Sequence, residues 1–88
     1  MNIEVLFFGD LRKLTDHRQV VSFKKGAQLT NLIEHLIEEY GHNFRQEINR
    51  SEWSRILING KEHDLLGGMG APLQDGDVVA FMPLTAGG

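Results

Sequence analysis

The stretch DGDVVAFMPLTAGG, residues 75–88, indicates most about the fold and use of this chain. Asp75-Gly76 predicts a tight turn, because glycine adopts the positive φ angles that several turn types require. Residues 78–82 are all apolar and predict a strand, which Pro83 ends because proline lacks a backbone N–H donor. Gly87-Gly88 carries no side chains and can enter a narrow active site, presenting only its carboxylate. A frayed chain end is the alternative interpretation, since termini are commonly disordered.

Length and composition indicate a single small globular domain. The 88 residues include 41% hydrophobic and 24% charged residues, both ordinary values for a soluble protein. A net charge of −3 with scattered Lys and Arg argues against nucleic-acid binding. No apolar run is long enough for a membrane span, and the chain starts with a strand pattern in place of a signal peptide. Cysteine is absent, which excludes disulfides, thiolate catalysis and cysteine-ligated metals. We therefore expect a cytoplasmic protein without nucleic-acid or membrane partners.

One amphipathic helix is predicted between residues 29 and 40. Its apolar residues recur at the i, i+3, i+4 and i+7 spacing of a single helix face. Thr30 is a candidate N-cap, and Gly41 follows the last apolar position, as a C-terminal glycine should. Phe44 and Ile48 suggest a second, shorter helical segment with the same side toward the core. The predicted face of the main helix consists of Leu29, Leu32, Ile33, Leu36, Ile37 and Tyr40.

Several strands are predicted around this helix, most of them short runs of β-branched or aromatic residues bounded by turn residues. Asp10 is a candidate cap for a helical turn over 11–14, between two strands that suit an antiparallel pair. Asn59-Gly60 is the dipeptide favoured in type I′ hairpin turns, and a glycine-rich loop follows over 65–74. The element order predicts an α+β domain with the ubiquitin-like β-grasp fold, in which one main helix crosses a mixed sheet of four to five strands. The predicted strands cover residues 3–8, 18–23, 55–58, 61–64 and 78–82.

Alternation along the first and last strands predicts a second apolar surface, on the side of the sheet away from the helix. Successive strand residues point to opposite faces, and these two strands are neighbours in a β-grasp sheet. Scattered surface hydrophobic residues are normal, but a contiguous patch rimmed by charge is typical of a docking surface. The inward set is Ile3, Val5, Phe7, Val79 and Phe81, and the outward set is Leu6, Phe8, Val78, Ala80 and Met82.

Four motifs follow one another in order: VLFFGDLR at 5–12, the helix at 29–37, ING at 58–60, and LQDGDVVAFMP at 73–83 with AGG at the end. Together they resemble the ubiquitin-like sulfur carriers, and most closely the small subunits of molybdopterin synthase. Thiamine-type sulfur carriers and archaeal ubiquitin-like modifiers are also similar. The implied organisation is a β-grasp domain over 1–83 and a flexible diglycine tail over 84–88. The Gly67–Gly70 loop looks more like relatives used in amino-acid or secondary-metabolite sulfur transfer.

The resemblance implies a carrier co-substrate without catalytic activity of its own. An adenylyltransferase of the ubiquitin-activating type would use ATP and Mg²⁺ to adenylate the Gly88 carboxylate, and a sulfur donor would convert the product to a thiocarboxylate. No cofactor is expected on this chain itself. The accepting partner would be the large subunit of molybdopterin synthase or another sulfur-accepting enzyme. Besides the reacting Gly87-Gly88 end, the expected partner-binding residues are the outward set with the tail residues Pro83, Leu84, Thr85 and Ala86. Leu84 departs from the family pattern, in which a second proline is usual.

Other candidate sites are weak. His35, Glu39 and His42 have helical spacing, but Gly41 should end the helix before His42, so no metal site is expected. The glycine-rich loop lacks the Gly-Lys-Ser/Thr ending of a phosphate-binding loop, and no catalytic triad or acid pair is recognisable. Two function classes stay open: a sulfur carrier for molybdopterin, thiamine, cysteine or another sulfur metabolite, and a protein modifier joined through Gly88 to lysines.

Overall fold

Five strands form one mixed sheet in the computed structural model, which describes residues 1–49 and 55–82. The spatial order is β2-β1-β5-β3-β4; β1 pairs parallel with β5, and the other three pairs of neighbours are antiparallel. This arrangement confirms the predicted α+β, ubiquitin-like β-grasp fold. The elements are β1 (Asn2–Phe7), β2 (Arg18–Ser22), α1 (Leu29–Tyr40), α2 (His42–Asn49), β3 (Arg55–Ile58), β4 (Lys61–Glu62) and β5 (Val78–Met82).

The hydrophobic core lies between one face of the sheet and the helices. All five residues of the predicted inward set are buried, as are the first four residues of the predicted α1 face, while Ile37 and Tyr40 are partly buried. Phe44 of α2 is fully buried, which confirms a second helical segment. Its ring meets Phe7 edge-on at 6.0 Å between centroids, and Phe7 stacks on Phe81 at 5.6 Å. This aromatic group lies beneath the end of β1 and the end of β5.

The N-terminal end of α1 differs from the prediction: its N-cap is Gln28, and Thr30 lies inside the first turn. The Gln28 N–H donates to Asn31 Oδ1 at 2.8 Å, and the Gln28 side chain accepts from the Asn31 N–H in a capping box. Gln28 is extended because it forms a β-bridge with Pro72, so a distant segment sets where the helix starts. Gly41 ends α1 with a φ of +88°, as predicted.

The turns around β1 and β4 also differ from the prediction in their bounds. The 3₁₀ turn between β1 and β2 covers Gly9–Lys13, so it starts two residues before the predicted turn, and Phe8 lies between β1 and this turn. The predicted return strand over 61–64 is wrong in length, because β4 ends at Glu62 and a 3₁₀ turn follows at His63–Leu66. The glycine-rich loop contains another 3₁₀ turn, at Gly68–Gly70.

The hairpin between β3 and β4 has the predicted turn chemistry. Asn59 has a φ of +52° and Gly60 a φ of +83°. Positive φ at both central residues is what a type I′ turn requires, and Asn-Gly adopts it at low cost. The turn therefore fixes the register of β3 against β4.

Candidate functional site

The open face of the sheet, on the side away from α1, carries a row of apolar residues across its three central strands. Ala80 on β5 is paired with Leu6 on β1 and with Leu57 on β3. Side chains that face each other on neighbouring strands have Cβ atoms about 4.5–5.5 Å apart. Leu6, Ala80 and Leu57 are all partly exposed. They form a continuous apolar row that the described part of the protein leaves accessible.

A second group of apolar residues lies where β1 and β5 end. Phe8 is 39% exposed, and its backbone N–H donates to the Phe81 carbonyl at 3.0 Å, which extends the β1–β5 pairing by one residue. Met82 is partly exposed and is paired with Arg55 on β3. Methionine is flexible and polarisable, which suits a surface that adapts to a partner. Phe8 and Met82 therefore extend the apolar row to the end of the sheet from which the chain continues.

All five residues of the predicted outward set lie on the open face, because they alternate along the chain with the buried inward set. Each of them is at least partly exposed. Val78 completes the set and is paired with Glu4 on β1. The register thus brings the set together, and its role in binding a partner stays a prediction. The remaining predicted residues, Pro83 to Ala86 and Gly87-Gly88, lie outside the described residues.

Two open-face residues were not predicted, Leu57 and Val20. Val20 on β2 is 51% exposed and is paired with Glu4, while Leu57 extends the apolar row onto β3. The signal for Leu57 was present, because it alternates with the buried Ile56 and Ile58. Using that signal required knowing that β3 pairs with β5.

Charged side chains border the apolar row on both sides. Arg18 pairs with Glu4 on one side, and Arg55 pairs with Glu62 on the other. Exposed ion pairs of this kind contribute about 0–1 kcal/mol to stability. More important here is that they surround the apolar row with charged groups, since an apolar centre with a polar rim is typical of protein interfaces.

The start of β5 is fixed by hydrogen bonds from the β3–β4 turn and from the preceding loop. Asn59 Nδ2 donates to Asp77 Oδ1 at 2.9 Å, and Asn59 Oδ1 accepts from the Val78 N–H at 3.0 Å. Asp77 Oδ2 accepts from the Gln74 N–H at 2.8 Å. β5 is also hydrogen-bonded to β1 on one side and to β3 on the other. These contacts together hold β5 in one register within the sheet.

The titratable groups that stand out lie on the helix side of the sheet. Tyr40 on α1 accepts a hydrogen bond from Gln19 Nε2 at 3.2 Å, and burial raises the pKa of its hydroxyl. His35 Nε2 lies 3.5 Å from Glu39 Oε1. Within residues 1–49 and 55–82, no group of three or more His, Asp or Glu is placed to hold a metal ion. Over the same ranges, no helix has the length and apolar character needed to cross a membrane.

Comparison with known proteins gives the family. The ThiS family profile matches residues 5–88, a range that begins inside β1 and includes β2, β3, β4 and β5 in full. The chain belongs to the ThiS family. This ThiS-family protein is 30% identical over 90 residues to the molybdopterin synthase sulfur carrier subunit of Mycobacterium tuberculosis, a match that covers 100% of this chain and 99% of that protein. The predicted resemblance to sulfur carriers is thereby confirmed.

Solved structures share the fold of this ThiS-family protein. The solution structure of the Haloferax volcanii HVO 2177 protein superposes with a TM-score of 0.79 at 27% identity, covering 100% of this chain and 87% of that one. Subunits 1 and 2 of the molybdopterin-converting factor from Helicobacter pylori form a protein–protein complex that includes a chain of the same fold. That chain has a TM-score of 0.63 at 22% identity, with full coverage of both chains.

Proposed function

We propose that this ThiS-family protein carries sulfur as a thiocarboxylate on Gly88 and delivers it in molybdopterin synthesis. The observation that carries the proposal is the full-length similarity to a molybdopterin synthase sulfur carrier subunit. The family match also extends through the diglycine to residue 88. A ubiquitin-like binding module would leave that diglycine without a use.

The chemistry requires activation, because a carboxylate is a poor electrophile. In the proposed reaction, a Gly88 carboxylate oxygen attacks the α-phosphorus of ATP on an adenylyltransferase that also holds Mg²⁺, and pyrophosphate leaves. A donor at the oxidation level of sulfide then attacks the acyl carbon, and AMP leaves without any redox change. The resulting thiocarboxylate is a sulfur nucleophile that needs no cysteine. Its sulfur attacks an electrophilic carbon of the acceptor and displaces an oxygen leaving group from that carbon. Water then attacks the acyl carbon and breaks its bond to sulfur, so that the Gly88 carboxylate is restored and the sulfur stays on the acceptor as a thiolate.

The open face supports this role because the residues that would bind a partner are separate from Gly88, where the reaction would occur. β5 contributes Val78, Ala80 and Met82 to the open face, and the chain continues directly from Met82 to the diglycine. Contacts made away from the reacting atoms supply binding energy that positions the terminal carboxylate. We infer that both the adenylyltransferase and the sulfur-accepting enzyme bind this face. The Helicobacter pylori subunit complex supports an enzyme partner of this kind.

The test is the intact mass of the protein after incubation with the adenylyltransferase, ATP, Mg²⁺ and a sulfide donor. Replacing one oxygen by sulfur adds about 16 mass units to the activated acyl group, and we expect this shift for the native chain. Deleting Gly88, or adding one residue after it, should abolish the shift, because small misplacements of a reacting group can cost about a hundredfold in rate. Leu65→Ser is the matched control, since Leu65 is 80% exposed and lies off the open face.

Two outcomes would contradict the proposal. An extended chain that gains sulfur as fast as the native one would show that Gly88 is not the reacting end. Gly88 found amide-linked to lysines of other proteins, without any thiocarboxylate, would favour a protein modifier. The pathway is tested separately, by supplying the thiocarboxylated protein to a molybdopterin synthase large subunit and to a thiazole synthase. The proposal requires that the first of these enzymes consumes it.

A further inference from the structure

The two edges of the sheet are built differently. β4 forms one edge and has only two residues, both charged, which is a usual protection against pairing with other chains. β2 forms the other edge with five residues, and its middle residue, Val20, is 51% exposed. Edge strands more often carry a charge or a proline at such a position. β2 is therefore the edge that is suited to accept another strand.

The hydrogen bonds between β1 and β2 show which backbone groups of β2 face outward. Met1 and Phe23 exchange two hydrogen bonds, at 2.8 and 2.9 Å, and the Phe7 N–H donates to the His17 carbonyl at 3.1 Å. In an antiparallel pair, residues that bond to the neighbouring strand alternate with residues that do not. The odd-numbered residues of β2 thus bond to β1. The N–H and C=O groups of Arg18, Val20 and Ser22 point away from the sheet, and no strand among the described residues pairs with them.

We propose that a second copy of this chain binds this edge, with β2 antiparallel to β2 about a twofold axis at Val20. Arg18 then pairs with Ser22 of the second copy, and Val20 pairs with Val20. The outward backbone groups form about six hydrogen bonds in this register. The two Val20 side chains come within contact distance, since directly paired residues have Cβ atoms about 4.5–5.5 Å apart. The proposed interface therefore satisfies the open backbone groups and covers an exposed apolar side chain.

The charges beyond the ends of β2 favour the same register. Asp16 lies two residues before β2 and Lys24 two residues after it, and both are exposed. With the axis at Val20, Asp16 of each copy is placed opposite Lys24 of the other, so that opposite charges face each other twice by symmetry; within its own chain, Asp16 Oδ2 also accepts a hydrogen bond from the Tyr40 hydroxyl at 3.4 Å. If the axis lay one residue earlier or later along β2, Asp16 would no longer lie opposite Lys24. Opposite charges that face each other stabilise a strand pair, whereas like charges destabilise it.

A dimer of this form leaves the open face available. Directly paired residues lie on the same side of a sheet, so the axis is perpendicular to the sheet and both open faces point the same way. The Leu6–Ala80–Leu57 row lies on β1, β5 and β3, away from the new strand pair. The dimer thus forms one ten-stranded sheet with two docking surfaces side by side.

The test is sedimentation equilibrium of the full chain between about 1 µM and about 1 mM, a range that spans moderate to weak affinities. We expect a monomer–dimer equilibrium. Val20→Pro removes only an outward N–H and should raise the dissociation constant by about tenfold or more, since it deletes two symmetry-related hydrogen bonds. Val20→Lys should do the same by placing like charges across the axis. Leu65→Lys is the matched control, since it makes the same kind of change at an exposed apolar residue outside β2 and should leave the dissociation constant unchanged.

The register is tested by charge exchange. Asp16→Lys and Lys24→Asp should each weaken the dimer, and the double variant should restore it. A native chain that stays monomeric at the highest concentration overturns the proposal. Equal weakening by Leu65→Lys and Val20→Lys also overturns it, because it would indicate nonspecific apolar association. A double variant as weak as the single variants would show that the twofold register is wrong.

Discussion

Two phenylalanines on opposite sides of the sheet allow folding stability and partner binding to be tested separately. Phe44 is fully buried, whereas Phe8 is 39% exposed at the end of the open face. Truncating either to alanine removes the same atoms. We expect Phe44→Ala to destabilise the fold with little change in the open face, and Phe8→Ala to weaken partner binding with little loss of stability.

The magnitudes follow from the surroundings of each ring. Phe44 contacts Phe7, Tyr40 and Phe81 at centroid distances of 5.5–6.3 Å, so its removal leaves a cavity inside an aromatic group. Truncation of a buried Phe costs about 3–5 kcal/mol, which is a large part of the stability of a small domain. Full burial of a Phe contributes about 1.5–3 kcal/mol, and Phe8 is only partly covered, so about 1 kcal/mol is expected for Phe8→Ala. Removing an aromatic side chain that a partner covers fully costs about 2 kcal/mol or more, a loss in affinity of about 30-fold, and we expect this magnitude if the partner covers the Phe8 ring.

The assay is urea unfolding followed by circular dichroism, together with titration calorimetry against the adenylyltransferase. A Phe8→Ala variant that loses as much free energy of unfolding as Phe44→Ala would show that the two faces of β1 are misassigned, as a one-residue register slip would produce. A stable Phe8→Ala variant with native affinity for both enzyme partners would refute the open face as the docking surface.

Two further predictions concern groups outside the apolar row. Asn59→Ala removes two hydrogen bonds, to Asp77 and from the Val78 N–H, and it replaces a residue type that tolerates the φ of +52° at this position. Urea unfolding should therefore show a loss of about 1–3 kcal/mol in the free energy of unfolding. Asn59→Gly should lose less if the φ angle is the larger cause, because glycine adopts positive φ freely. Burial raises the pKa of Tyr40 above its usual 10.0, so the folded protein binds the phenolic proton more tightly than the unfolded chain does. Tyr40 should therefore leave the free energy of unfolding unchanged below pH 10 and lower it as the pH rises from there through the raised pKa. Absorbance titration of the native protein should show a midpoint above that of a denatured sample. Equal midpoints would contradict the burial of the Tyr40 hydroxyl.

The sequence alone predicted the features that depend on local periodicity. The α1 face, the inward residues of β1 and β5 and the helical segment around Phe44 all follow from spacing within a few residues. The N-cap of α1 was mispredicted because the Gln28–Pro72 bridge joins segments distant in the sequence. The length of β4 was overestimated because the 3₁₀ turn at His63–Leu66 carries no strong turn signal of its own.

The same limit applies to the open face. Leu6 and Ala80 were predicted because the first and last strands are neighbours in the expected fold. Leu57 was missed because its contact with Ala80 depends on the pairing of β3 with β5, which no local pattern specifies. The edge position of β2, and with it the outward backbone groups around Val20, is likewise a property of the whole sheet order.

The central position of β5 makes the open face depend on the completion of folding. β5 is the last strand along the sequence, yet it lies between β1 and β3, and Glu4 near the start of the chain is paired with Val78. Pairings between such distant residues form slowly, because a long loop must close first. The open face is incomplete until β5 is in place, since Val78, Ala80 and Met82 are part of it. An unfolded chain has the same terminal glycines but lacks this face, so an adenylyltransferase that binds the open face, as proposed above, would spend ATP only on correctly folded carriers.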